Sequence, residues 1–120
     1  MAFIPKDYQT FDEEEMGKRI TPWILTATAD NTDITLTKSG VSGASHYIVA
    51  IYASYSGSAT KLMILKDGTN VIGNFHVINS RNIEPKKPIK ITPGNDVSVV
   101  LPASGTAGVI GALTVIGFTL

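Results

Sequence analysis

Cysteine is absent from this sequence, which excludes disulfide bonds, cysteine-based zinc sites and thiol catalysis. The same absence fits a reducing compartment, or a particle that is assembled in one. The first residues, Met1 to Asp7, do not form a basic stretch followed by an apolar run. No secretion signal is therefore predicted, and synthesis in the cytoplasm is expected.

Neither positive nor negative charge is in excess, because ten basic residues balance ten acidic ones. A zero net charge argues against a nucleic-acid binder and against a polybasic membrane surface. The longest uncharged stretch runs from Val97 to Leu120 but is interrupted by Pro102 and the small residues 103–108. The remaining apolar run is too short to span a membrane as a helix, and its β-branched residues and glycines favour a strand.

Side chains that could act in catalysis or bind a metal ion are also few. His46 and His76 are the two histidines, on different predicted strands, and no Gly-x-Ser-x-Gly motif accompanies them. Both fit hydrogen-bonded structural roles better than a metal or general-base site, and the acidic run at residues 13–15 fits a solvated surface. We expect no enzymatic activity, no cofactor and no metal.

Alternating side chains and turn residues predict an all-β chain. Residues 1–22 form a polar, extended N-terminal arm that becomes ordered against a partner, with a short helix capped by Thr10 as an alternative. Residues 23–120 are predicted to form one domain. Asp67-Gly68 is its strongest hairpin signal. Residues 79–88 contain Pro85 and Pro88 and are predicted to form a surface loop. About eight short antiparallel strands in this domain predict a jelly roll or β-sandwich.

The terminal strand is apolar on both faces, and so is the strand His46 to Tyr55. One face of each can pack on the core of the chain, so the other needs a neighbouring subunit or a larger body. We predict a homotrimer, with a dimer as the competing state. The predicted subunit interface is the face of the terminal strand that carries Val109, Leu113 and Val115.

Aromatic side chains offer two readings. Trp23, Tyr47, Tyr52 and Tyr55 could form a platform for sugars or nucleic acid, but the tyrosines alternate with aliphatic rather than basic residues. Packing in the core or in a subunit interface is the favoured interpretation.

Charged residues gather at two places that we predict to bind a partner. The arm combines apolar anchors with an acidic cluster, and its predicted contact residues are Phe3, Ile4, Tyr8, Phe11, Asp12, Glu13, Glu14 and Glu15. The second place is a basic loop with Arg81, Lys86 and Lys87. The apolar anchors are expected to supply affinity, and the charges to set register and association rate.

Several segments of the second half together resemble the small jelly-roll decoration, or cement, proteins of tailed bacteriophage heads. These segments are Leu62-Met-Ile-Leu-Lys-Asp-Gly-Thr69, Lys90-Ile-Thr-Pro-Gly-Asn95, Val97-Ser-Val-Val-Leu-Pro-Ala-Ser-Gly-Thr106 and Ile116-Gly-Phe-Thr-Leu120. The resemblance covers roughly residues 45–120 and lies in strands and turns. Tumour-necrosis-factor-like and C1q-like trimers share the architecture, but the missing secretion signal and cysteines argue against an extracellular ligand of that kind.

The resemblance implies a non-enzymatic virion protein that binds the outside of a phage head as a trimer. Its implied partners are further copies of itself and the major capsid protein, with no nucleic acid and no membrane. A carbohydrate-binding or head or tail fibre module is the alternative function. An enzyme of sandwich fold is a third.

Overall fold

A computed structural model describes residues 20–120 of the chain. These residues form nine β-strands, every pair of which is antiparallel. In chain order the strands are β1 (Thr21–Asp30), β2 (Ile34–Lys38), β3 (His46–Tyr55), β4 (Thr60–Asp67), β5 (Asn70–Ile78), β6 (Ser80–Ile83), β7 (Ile89–Lys90), β8 (Val97–Leu101) and β9 (Ile110–Thr119).

Tight turns join consecutive strands where the sequence supplies residues that accept a positive φ. Asn31 adopts φ 47° between β1 and β2, and Gly68 adopts φ 63° between β4 and β5. Asparagine and glycine are the residues that adopt this left-handed conformation most readily. The Asp67-Gly68 hairpin predicted from sequence is therefore confirmed.

The strands form two layers. The first sheet has the order β1, β9, β3, with β6 and β7 both pairing β3 at its far edge, and the second has the order β2, β8, β4, β5. A single residue pair, Ile78 with Ser80, continues the hydrogen bonding from one layer to the other. With β6 and β7 counted as one interrupted strand, this is the four-over-four order of a jelly roll, and the predicted fold is confirmed.

The core lies between the two sheets. Its most deeply buried large side chains come from strands of both layers and from Ile91, which follows β7, so that each sheet covers the other. They are Ile48, Ile51, Met63, Leu65, Ile91, Leu101 and Leu113. Burying one such aliphatic side chain stabilises the fold by about 1.5 to 3 kcal/mol. The core thus depends on contacts between residues far apart in sequence.

Two boundaries differ from the sequence predictions. β1 begins at Thr21, two residues before the predicted domain start at Trp23, because Thr21 and Pro22 pair with Thr119 and Phe118. Residues 79–88 are not one surface loop, since Ser80–Ile83 form β6 and pair with β3. Pro85 and Pro88 come after β6, so the residues of this strand keep the N–H groups that pair with β3.

Candidate functional site

The two faces of β9 have opposite surroundings. Leu113 and Val115 point into the core and are 0% and 1% exposed, whereas Ile116 and Phe118 point outward. The prediction that Val109, Leu113 and Val115 line a subunit interface is therefore wrong for Leu113 and Val115. Val109 is half-buried against the same core, and its side chain faces Gly57. For Val109 the interface stays a prediction.

The glycines of β9 explain which face turned inward. A Cβ at Gly117 would lie 2.5 Å from the Trp23 ring, and one at Gly111 would lie 3.3 Å from the Tyr55 ring. Both glycines share a face with Leu113 and Val115, so this face offers room for two aromatic rings. The opposite face, with Ile110, Ala112, Thr114, Ile116 and Phe118, has no glycine and points outward.

The outward face of the first sheet carries a group of apolar side chains, which we call the outer apolar patch. Pro22 and Tyr47 flank Phe118 in one cross-strand row, and Ile24 lies beside Ile116 in the next. In β3 the partner of Ile116 is the buried Ala50, and the exposed Val49 is the extra residue of a bulge between Ile48 and Ala50. The members of the patch are Pro22, Ile24, Tyr47, Val49, Ile116 and Phe118. Ile24 is 65% exposed and Val49 is 40% exposed. The Tyr47 and Phe118 rings stack with centroids 4.8 Å apart. Contiguous exposed apolar surface of this kind marks an interaction site.

The other half of the same face is mostly polar, although it also holds Ala112 and Ile110, which is 44% exposed. The Thr26 and Thr114 hydroxyl oxygens lie 3.0 Å apart, and the Tyr52 hydroxyl donates a 2.7 Å hydrogen bond to Glu84. That hydrogen bond to Glu84 raises the pKa of Tyr52. The three strands thus change from hydroxyl-bearing to apolar side chains along their length, and the apolar half lies at the end where β1 begins.

A buried hydrogen-bond network supports the apolar half from inside. Trp23 Nε1 donates to Thr119 Oγ1 at 3.0 Å, and the same oxygen lies 2.7 Å from His46 Nδ1. The second ring nitrogen of His46 lies 2.7 Å from the Ser39 carbonyl oxygen. Both ring nitrogens are therefore engaged, which is the structural role predicted for His46. Trp23, whose N–H needed an acceptor, finds it in Thr119.

The aromatic residues do not form a common platform. Tyr55 is buried in the core and donates a 2.7 Å hydrogen bond to the Pro102 carbonyl oxygen. Burial and, after it, the charge of Asp33 raise the pKa of Tyr55. Tyr47 belongs to the outer apolar patch, and Tyr52 to the polar half. Core packing is thus confirmed for Tyr55 and Trp23.

Basic residues line the edge of the first sheet next to β3. Arg81 lies in β6 rather than in a loop, donates a 3.1 Å hydrogen bond to the His76 carbonyl oxygen and places its guanidinium 5.8 Å from the Phe75 ring centroid. Lys86 and Lys87 are exposed in the connection to β7. Lys90 pairs with Tyr47, so it adjoins the outer apolar patch. We call Lys86, Lys87 and Lys90 the basic edge, because the guanidinium of Arg81 contacts β5 of the second sheet instead.

Further exposed apolar side chains lie at the two ends of the β4–β5 hairpin, Leu62 and Ile78 near the start of β4 and Val71 and Ile72 near the turn. Leu62 is opposite His76, and Ile78 is opposite Thr60, on the outward face of the second sheet. Leu62, Val71, Ile72 and Ile78 are all exposed. After folding, both sheets therefore retain apolar side chains in contact with solvent.

The loop of small residues at 103–108 is fixed by the β1–β2 turn. Asp33 accepts a hydrogen bond from Ala103 N at 2.7 Å, Asn31 from Gly105 N at 2.8 Å and Asp30 from Gly108 N at 2.8 Å. Three backbone N–H groups without strand partners thus find acceptors, as backbone donors generally require.

The predicted arm residues Phe3, Ile4, Tyr8, Phe11, Asp12, Glu13, Glu14 and Glu15 lie outside the described residues. His46 and His76 are not brought together, since they lie on different sheets. Among residues 20–120, no three side chains of the His, Cys, Asp or Glu type form a group that could hold a metal ion. In the same range, no helix is long and apolar enough to cross a membrane.

Sequence reasoning missed the outer apolar patch, although one signal for it was visible. The sequence shows that the terminal strand is apolar on both faces. The face with Leu113 and Val115 is the one predicted to lie outside, but it turns inward. No family model matches the chain, and neither does any curated protein or any solved structure.

Proposed function

We propose that this protein is a non-enzymatic virion component, a decoration protein that binds the outside of a tailed phage head as a homotrimer and stabilises the capsid lattice. The observation that carries the proposal is apolar surface left uncovered on the outward faces of both sheets. A chain that has closed its own core and still exposes such surface is suited to assembly with other chains. The jelly-roll fold agrees with the resemblance noted in the sequence.

The exposed area around Leu62 and Ile78 is the proposed subunit seam, replacing the inward-facing residues of β9. These two side chains come from the neighbouring strands β4 and β5, and the buried centre of homo-oligomer interfaces is more apolar than the rest of the protein surface. A cyclic trimer uses this area once in each subunit against a different area of the next subunit.

Attachment to the major capsid protein is proposed through exposed charged residues, with Lys86 and Lys87 foremost. Contacts of this type steer association and set register, and they weaken as salt screens them. Each subunit adds a modest contact. A trimer that engages several capsid chains at once gains avidity, because the later contacts form at high effective concentration.

The test has two arms. Light scattering of the purified protein at micromolar concentration is expected to give the mass of a trimer, and quantitative mass spectrometry of particles from cells that make the protein is expected to find many copies per particle. Absence from the particles overturns the virion assignment. Binding of the purified protein to a glycan array, together with that absence, would favour the carbohydrate-binding module instead.

A further inference from the structure

The outer apolar patch lies where the chain enters the domain. Ile20, 42% exposed, immediately precedes β1, and the first row of the patch begins two residues later at Pro22. Residues 1–19 are therefore attached to the edge of the patch by the backbone itself. A tethered segment competes for such a surface at millimolar effective concentration, well above that of most free partners.

The size of the patch indicates what kind of partner could cover it. Three strands about 4.8 Å apart and two rows about 7 Å apart give a footprint on the order of 200 Å². A stable dimer buries about 800 Å² on each partner. One aromatic side chain buries about 150 to 250 Å². The patch is therefore too small for the flat face of a second copy and suits one or two aromatic residues of a segment.

The charge of the N-terminal segment complements the edge that borders the patch. Residues 1–19 carry five acidic side chains against three basic ones, and four of the acids are consecutive, from Asp12 to Glu15. Residues 81–90 carry four basic side chains against Glu84 alone. Lys90, next to Tyr47, places one of these positive charges directly beside the patch.

The length of the segment fits both contacts. From β1 to the far edge of the first sheet there are three strand spacings, about 14 Å. The six residues from Ile20 back to Glu14 span up to about 20 Å when extended. The acidic run can therefore reach the basic edge, and Phe11, three residues further, can return over the patch.

We infer that residues 1–19 fold back over the first sheet of their own chain, with Phe11 on the outer apolar patch and the acidic run, Asp12 to Glu15, against the basic edge. The segment then has a binding surface within its own chain, nearer than the capsid partner expected from sequence. The inference does not depend on the proposed function, because it concerns the free protein. In the proposed complex with the capsid, Lys86 and Lys87 would exchange the acidic run for the capsid protein.

Crosslinking tests the inference directly, since the chain has no cysteine of its own. The variant Thr10→Cys with Thr26→Cys, which keeps Phe11 and borders the patch next to Ile24, is treated with a short thiol-to-thiol crosslinker. Its matched control is Thr10→Cys with Thr28→Cys, on the same strand and the same face but further from the patch. We expect a crosslink within one chain, at several-fold higher yield for the Thr26 pair than for the Thr28 pair.

Each other outcome contradicts the inference. Equal yields for the two pairs mean that the segment has no preferred position, and products of twice the chain mass mean that it binds a second copy. The absence of any crosslink means that the segment around Phe11 does not lie on the patch.

Hydrogen exchange gives a second measurement on the full chain. Ile24→Lys changes a side chain that is mostly exposed, so the sandwich is expected to remain folded. The amides of residues 7–16 should exchange several-fold faster in Ile24→Lys than in the parent, and no faster in Thr28→Lys. Unchanged exchange in Ile24→Lys overturns the inference.

Discussion

Thr119 Oγ1 lies 2.7 Å from His46 Nδ1, and this hydrogen bond joins β9 to β3 beside the core. The Ser39 carbonyl oxygen can only accept, so His46 Nε2 must donate to it. In the neutral ring Nδ1 then accepts the proton of the Thr119 hydroxyl. The hydroxyl oxygen accepts in turn from Trp23 Nε1. One threonine therefore satisfies two buried aromatic side chains from different strands.

Replacing Thr119 with valine keeps the shape of the side chain and removes the hydroxyl. Trp23 Nε1 and His46 Nδ1 would each lose a hydrogen-bond partner inside the protein, and we expect the free energy of unfolding to fall by about 2 to 4 kcal/mol. Urea denaturation measures the change. Thr114→Val, which removes an exposed hydroxyl from the same strand, should cost under about 0.5 kcal/mol. Equal losses in the two variants would mean that the buried network contributes little.

Gly117 is the position at which an added methyl group should do most harm. Its Cβ would lie 2.3 Å from the Tyr47 carbonyl oxygen and 2.5 Å from the Trp23 ring, and the backbone atom cannot move aside easily. We expect Gly117→Ala to lower the free energy of unfolding by about 3 kcal/mol, at the upper end of overpacking effects.

Gly111→Ala provides the matched comparison for Gly117→Ala on the same face of β9. Its Cβ would approach only side-chain atoms, the nearest at 3.3 Å. Thermal unfolding followed by circular dichroism should therefore rank Gly117→Ala well below Gly111→Ala. The reverse order would contradict the packing described for Trp23.

Asp67 should make stability depend on pH. Burial by itself raises the pKa of this carboxyl, but hydrogen bonds donated by Asn95 and Thr92 outweigh burial and lower the pKa. A lowered folded-state pKa stabilises the fold above the unfolded value, about 3.9, and this contribution is lost as pH falls through the folded value. We expect the stability of the parent to decline below about pH 4 more steeply than that of Asp67→Asn.

Urea denaturation of the parent and of Asp67→Asn, at a series of pH values between neutrality and acid, measures this difference. The two curves should converge as pH falls, because the contribution of the charged form disappears in the parent. Parallel curves would show that Asp67 is not the group responsible.

Charge substitutions should separate the proposed subunit seam from the core. Leu62→Asp and Ile78→Asp alter exposed side chains of the second sheet, so the sandwich should stay folded while an unpaired charge in the seam prevents assembly. Light scattering should then report a monomer. Thr28→Asp, on the other sheet, is the control and should remain a trimer. A trimer that survives both Leu62→Asp and Ile78→Asp would exclude this seam.

Leu113→Asp tests the corrected orientation of β9. Its side chain is 0% exposed, so a carboxylate there would be buried among apolar groups without a partner. We expect loss of the folded state, seen by circular dichroism, rather than dissociation into folded monomers. A folded, monomeric Leu113→Asp would restore the original prediction that Leu113 lies in the interface.

The class of fold and most strand positions followed from local patterns. Alternation along His46 to Tyr55 and the Asp67-Gly68 turn are properties of neighbouring residues, and such properties can be read without knowing the rest of the chain. The same reading failed at Ser80 to Ile83, because nearby prolines signal a loop whereas pairing with β3 depends on a distant strand.

The candidate site was predicted less well, for a related reason. The sequence showed that β9 is apolar on both faces, but alternation alone cannot decide which face turns inward. The glycines of β9 indicate the inward face, because they leave space beside Leu113 and Val115. The rings that fill this space belong to Trp23 and Tyr55 on other strands, and the sequence of β9 does not show them.

The sequence by itself determined an all-β chain with defined turns, since strand periodicity and turn conformation depend on adjacent residues. Only the tertiary structure decided that His46, Thr119 and Trp23 meet, that β9 turns Leu113 inward, and that the outer apolar patch lies beside the entry of residues 1–19. The physical reason is that these contacts join residues up to 96 positions apart. Their energies appear only when these distant strands pair and the two sheets close over a common core.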